Sequence, residues 1–142
     1  MKTAFDVQKE YVTDFNELQD PLLQYEYLVQ LAAELPRMDE RGRARASLVE
    51  GCQSNVWLAL EERPQGCLFI ECDSDTLIVR GILHLIRDVY SNRPYSEIAA
   101  TPFFVLDESG LGELLSSKRN SGIRAIVRTV TDYCNSRRET RS

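Results

Sequence analysis

Several things are scarce in this sequence, and each scarcity narrows the reading. No stretch approaches the roughly 18 consecutive apolar residues that a membrane-spanning helix requires. Positive charge is in deficit: 17 Lys and Arg face 22 Asp and Glu, a net −5, which gives no general attraction for nucleic acid or an anionic membrane. Histidine occurs once, as His84, far in sequence from every cysteine, so no local Cys–His pair suggests a protease-like nucleophile. The four cysteines, Cys52, Cys67, Cys72 and Cys134, include no CxxC spacing. The N-terminal MKTAFDVQKEYVTDF has neither the apolar core of a signal peptide nor the acid-poor composition of a transit peptide. The expectation is a cytoplasmic protein whose cysteines are thiols, since disulfides are uncommon in a reducing cytosol.

What is present suggests an ordinary globular fold. A chain of 142 residues with 43% hydrophobic content reads as one domain, 1–142, able to bury about two-thirds of its unfolded surface. Phe5, Tyr11, Phe15 and Leu18 space a first helix. Asp20-Pro21 looks like an N-cap followed by a proline at the first helical position. Leu28, Leu31, Ala32 and Leu35 continue a second helix to Pro36. RMDERGRARAS has no apolar face and reads as a solvated loop carrying Arg37, Arg41, Arg43 and Arg45.

Beyond Cys52 the apolar period changes. VWLAL reads as a strand, RPQG as a type I turn and CLFIEC as the returning strand. Asp73, Ser74 and Asp75 offer N-caps to TLIVRGILHLIRDVY, a helix apolar on most sides and therefore central. A short helix around Ser96–Ala100, an irregular stretch from Thr101 to Gly112 and a last helix through Ile123, Ile126, Val130 and Cys134 complete an α+β pattern. The expected architecture is a small antiparallel sheet of three strands packed against helices.

The cysteines divide on local grounds. Cys134 lies on the apolar stripe of the last helix and reads as a small buried hydrophobe. Cys67 and Cys72 are an odd number apart on one strand, so they point to opposite faces and are poor joint ligands of one metal. Cys52 differs: Gly51 gives it a permissive backbone, while Gln53 and Ser54 keep it out of the apolar run. Both a buried thiol and a reactive loop thiol fit these residues. Trp57 and His84 sit in apolar elements and read as structural.

GCQSNVWL, together with YEYLVQLAAELP, DSDTLIVRGILHLI and LLSSKRNSGIRAIV, is similar to the SufE family, the sulfur-acceptor partners of cysteine desulfurases. The four segments run in the family's order across about residues 20–133. The resemblance implies an α+β fold like that of U-type iron–sulfur scaffold proteins. It implies that Cys52 accepts sulfane sulfur from a persulfide on a SufS-type desulfurase, stimulates that enzyme, and passes the sulfur to a SufBCD-type scaffold complex. It implies supporting or docking roles for Gly51, Gln53, Ser54, Asp75 and Arg119. Neither a cofactor nor a metal is implied, and the carrier is not an enzyme in its own right. The chain departs from the family at Ser47, where an asparagine is common, and in the arginine-rich segment before Cys52, for which the alternative to a solvated charge run is a docking patch for an acidic groove on the desulfurase.

The chemistry suits such residues. Persulfide transfer is thiol–disulfide exchange with one extra sulfur, and it needs one accessible thiolate with no resolving thiol beside it. Two other classes stay open: a metal-binding iron–sulfur scaffold, and a regulator that binds the desulfurase without handling sulfur. Asp75 also reads as a helix N-cap, and Arg119 as a surface cation or a carbonyl cap. Monomer and homodimer both fit, and the chain leans only slightly to the main SufE branch over its CsdE relative.

Overall fold

The computed structural model describes residues 2–49 and 54–141. Helix α1 (Ala4–Glu17) starts at a capping box, in which the Thr3 side chain accepts from the Asp6 N–H and the Asp6 carboxylate accepts from the Thr3 N–H. Helix α2 (Pro21–Glu34) starts as the sequence suggests, with Asp20 accepting from the Leu22 N–H and Pro21 in the first turn. It stops just before Leu35-Pro36 because proline disfavours helical geometry in the residue that precedes it.

The arginine-rich segment is more ordered than a solvated loop. It forms α3 (Glu40–Arg45), where Asp39 caps the Gly42 N–H, followed by the two-residue strand β1 (Ser47–Leu48). Strand β2 (Val56–Arg63) and strand β3 (Cys67–Ser74) pair along their full length, from Val56 opposite Ser74 to Arg63 opposite Cys67. The turn between them is not type I. Gln65 sits at φ 67°, ψ 23° and Gly66 at φ 69°, both left-handed, whereas the third position of a type I turn needs φ near −90°.

Helix α4 (Leu77–Tyr90) follows, then strand β4 (Arg93–Pro94) and helix α5 (Tyr95–Ala100). The stretch expected to be irregular holds α6 (Val105–Glu108) and leads into α7 (Leu111–Leu114). Helix α8 (Ser117–Arg141) closes the chain and continues through the charged tail. Among the described residues the antiparallel sheet has four strands in the order β1-β2-β3-β4, one more than expected, because β1 and β4 are two-residue edges with no periodicity to betray them.

The α+β class holds. Helix α4 is central as predicted: Ile82, Leu83, Leu85, Ile86, Val89 and Tyr90 are all buried. It meets β3 on one side and α2 on another, so closely that a Cβ on Gly81 would run into the Leu28 carbonyl. Helix α8 packs Ile123, Ile126, Val130 and Cys134 inward and lies along α5. The paired strands and α4 together fix the corner at which β2 begins, β3 ends and α4 starts.

Candidate functional site

At that corner β3 ends in DS and the chain passes through Asp75 and Thr76 into α4. Asp73 has no exposed surface, and its partner Arg80, one helical turn into α4, is only 3% exposed. The two form a buried ion pair through Asp73 Oδ1 and Arg80 Nη1. Asp73 also accepts from the Met38 N–H at 3.0 Å and the Ser74 N–H at 2.8 Å, and Arg43 Nη2 lies 3.5 Å away. Burial pushes the Asp73 carboxyl up, but these N–H donors and the Arg80 guanidinium outweigh it and hold the group below the usual carboxylate range. Arg80 donates in turn to the carbonyls of Ala32 and Leu35 at the C-terminal end of α2. One charge pair thereby ties α2, α3, β3 and α4 together. The Arg43 guanidinium also stacks 4.2 Å from the ring centre of half-buried Trp57.

Above this base stands a polar cluster. Asp75 accepts from the Asn55 N–H at 3.2 Å and from Asn55 Nδ2 at 3.0 Å. The Ser74 hydroxyl donates to the Asn55 carbonyl at 2.8 Å. Thr76 Oγ1 lies 2.6 Å from Ser54 Oγ and 3.2 Å from Asp75 Oδ1, and Arg119 Nη1 donates to Ser54 Oγ at 3.1 Å. A hydroxyl has one proton to give, so a consistent chain runs from Arg119 through Ser54 and Thr76 to the Asp75 carboxylate. A cation and an anion on different elements are thus joined through two hydroxyls. Beneath Arg119 a small apolar cleft is lined by Val56, Val79, Gly122, Ile123 and Ile126.

Of the residues singled out in the sequence, Ser54, Asp75 and Arg119 come together here. Gly51, Cys52 and Gln53 lie outside the described residues. Asp75 is not the cap of α4: the N-cap is Thr76, without a side-chain cap bond, and the Asp75 carboxylate is spent on Asn55. Asn55, Thr76 and the Asp73–Arg80 pair went unnoticed in the sequence. The available signal was Arg80 itself, an arginine inside the apolar first half of the helix, Leu77–Leu83.

The other thiols behave as their positions suggest. Cys72 and Cys134 are buried, and burial pushes their thiols up to about 12 and about 11. Cys67 is half-buried at the other end of β3. His84 Nε2 is 3.5 Å from Glu34 Oε2, and its Nδ1 is buried with no partner among the described residues.

The family model described as SufE, an Fe-S metabolism associated domain, matches residues 9–134. A SufE-like protein of Rhizobium etli is 37% identical over 127 residues, covering 85% of this chain and 84% of that one. Another from Rhizobium meliloti is 33% identical over 123 residues, covering 84% and 88%. The solution structure of a hypothetical protein from Thermus thermophilus superposes with a TM-score of 0.76 at 17% identity, over 92% of this chain and 94% of that one, and shares its fold. With the match running from α1 to the buried Cys134 of α8, and with the corner that holds Ser54, Asp75 and Arg119 inside it, the chain belongs to the SufE family of iron–sulfur metabolism.

Proposed function

We propose that this protein is a sulfur carrier whose Cys52 accepts the sulfane sulfur of a SufS-type cysteine desulfurase. The Cys52 thiolate attacks the terminal sulfur of the donor's persulfide. A new S–S bond forms on Cys52, the donor's S–S bond breaks, and the donor cysteine leaves as its thiolate. The sulfur then passes by a second exchange to a SufBCD-type scaffold complex. Discharging its persulfide this way frees the desulfurase for another turnover, which is how a carrier stimulates it.

The observation that carries this reading is the hydrogen bond from Arg119 to Ser54 at 3.1 Å. Ser54 is two residues beyond Cys52, so chain connectivity alone keeps their Cα atoms within about 7 Å. A thiol with an ordinary pKa near 8.5 is only a few per cent thiolate at neutral pH. A guanidinium within reach raises that fraction and favours the charged nucleophile. In the same reading the Asn55–Asp75 clasp and the Ser54–Thr76 contact steady the residues that follow Cys52 in the chain.

Intact mass after incubation with a SufS-type desulfurase and free cysteine tests the proposal. A gain of one sulfur atom is expected, removed by reductant and absent in Cys52→Ser. Arg119→Ala should remain folded and gain the sulfur more slowly. An unchanged mass beside an active desulfurase overturns the carrier reading. Stimulation that survives in Cys52→Ser would instead identify a non-covalent regulator.

A further inference from the structure

Beside the corner, between the sheet edge and α8, runs a groove of about 660 Å³. Its walls include Arg45, Leu48, Val49, Leu58, Leu60 and Tyr133. Two features suit it to another protein. Leu48 stands 58% exposed on edge strand β1, where an apolar side chain gains by being covered. Strand β1 is also too short to cover β2: among the described residues it pairs with Trp57 and Leu58, and no strand of those residues lies beside the backbone of Leu60, which borders the groove.

Charge narrows the occupant. Arg41 and Arg45 lie four residues apart on α3, hence on one face, and both are exposed. Among the described residues neither pairs with a carboxylate, although the chain as a whole carries a net −5. Arg43, between them, turns inward to Trp57 and Asp73 and is not available. Asp132 lines the α8 side of the groove, so the cationic end is the α3 end.

We infer that this face docks an acidic segment of the sulfur-donating desulfurase, with an apolar side chain of that segment against Leu48 and its carboxylates toward Arg41 and Arg45. The inference rests on the carrier reading and adds to it a docking surface built from α3, β1, β2 and α8. A second copy of this chain is a poorer occupant, because it would bring the same two unpaired arginines to the interface. Such exposed charges act mainly on encounter rate and salt dependence, while the apolar contact acts on lifetime.

Affinity of the full-length protein for a SufS-type desulfurase, measured at low and high ionic strength, tests the surface. Arg41→Glu/Arg45→Glu should weaken binding about tenfold at low salt and lose most of that difference at high salt. Leu48→Ser should weaken it several-fold at both, and Arg41→Gln/Arg45→Gln should show a smaller effect of the same salt-sensitive kind. Circular dichroism confirms that each variant folds. Unchanged affinity in all three, with wild-type sulfur uptake intact, overturns the docking surface and leaves the carrier reading standing. A wild type that neither binds nor gains sulfur overturns both. A wild-type dimer that Leu48→Ser dissociates would assign the groove to a second copy and overturn the inference.

Discussion

Asp73 is a carboxylate with no exposed surface, held by Arg80 and two backbone N–H groups. Removing its charge leaves the Arg80 guanidinium buried without a counter-ion, which costs roughly 3–5 kcal/mol. Asp73→Asn should therefore lower unfolding free energy by about that much in urea titrations. Asp75→Asn, at an exposed carboxylate bonded among the described residues to Asn55 and Thr76, should cost about 1 kcal/mol or less. Equal losses would show that the buried pair carries no special weight. Because the Asp73 pKa is lowered by folding, its stabilisation is present above the unfolded value near 3.8 and disappears as pH falls through the folded value. Asp73→Asn should accordingly flatten the acid limb of the stability profile.

Among the secondary-structure elements, α2 and α4 meet where Gly81 faces the Leu28 backbone with no room for a side chain. An alanine there favours the helix in isolation but forces the two helices apart. Gly81→Ala should lower stability by about 1–3 kcal/mol, read as a reduced Tm. An unchanged Tm would mean that the helices slide apart freely. These two helices, with α1 and α8, were legible in the sequence because local spacing and a few end signals write them: Asp20-Pro21 starts α2 and Pro36 ends it. Strand β1 and strand β4 were not legible, since two residues carry no period and exist only by pairing. Helix α3 was hidden for another reason: its outer face is arginine, and the side chain that anchors it, Arg43, looks the same in sequence as the ones that do not. Ser54, Asp75 and Arg119, which the resemblance to the SufE family singled out, lie in one hydrogen-bonded cluster. Their connection through Asn55 and Thr76 depends on bringing together residues about twenty apart, which no local pattern records.

For the whole molecule, two buried thiols and a half-buried tyrosine shape the alkaline limb of stability. Folding raises Cys72 to about 12 and Cys134 to about 11 from 9.0, and raises Tyr27 to about 12 from 10.0. Below pH 9 these groups are protonated in folded and unfolded chains alike, so their stabilisation is fully present. As pH rises beyond 9 the unfolded chain loses its protons first, and that stabilisation is lost on the way to the folded values. Tm should be level between about pH 7 and 8.5 and fall above pH 9. Over the level range, Cys72 and Cys134 should resist iodoacetamide until denaturant is added, and their rapid labelling in buffer would contradict the burial described. The left-handed turn at Gln65 and Gly66 closes the β2–β3 hairpin at the end away from the corner that holds Ser54, Asp75 and Arg119, about 24 Å along β2. An exposed bend so placed is a natural point of attachment: a dye or surface tether at Gln65 would report on the protein while leaving the opposite end of the sheet unencumbered.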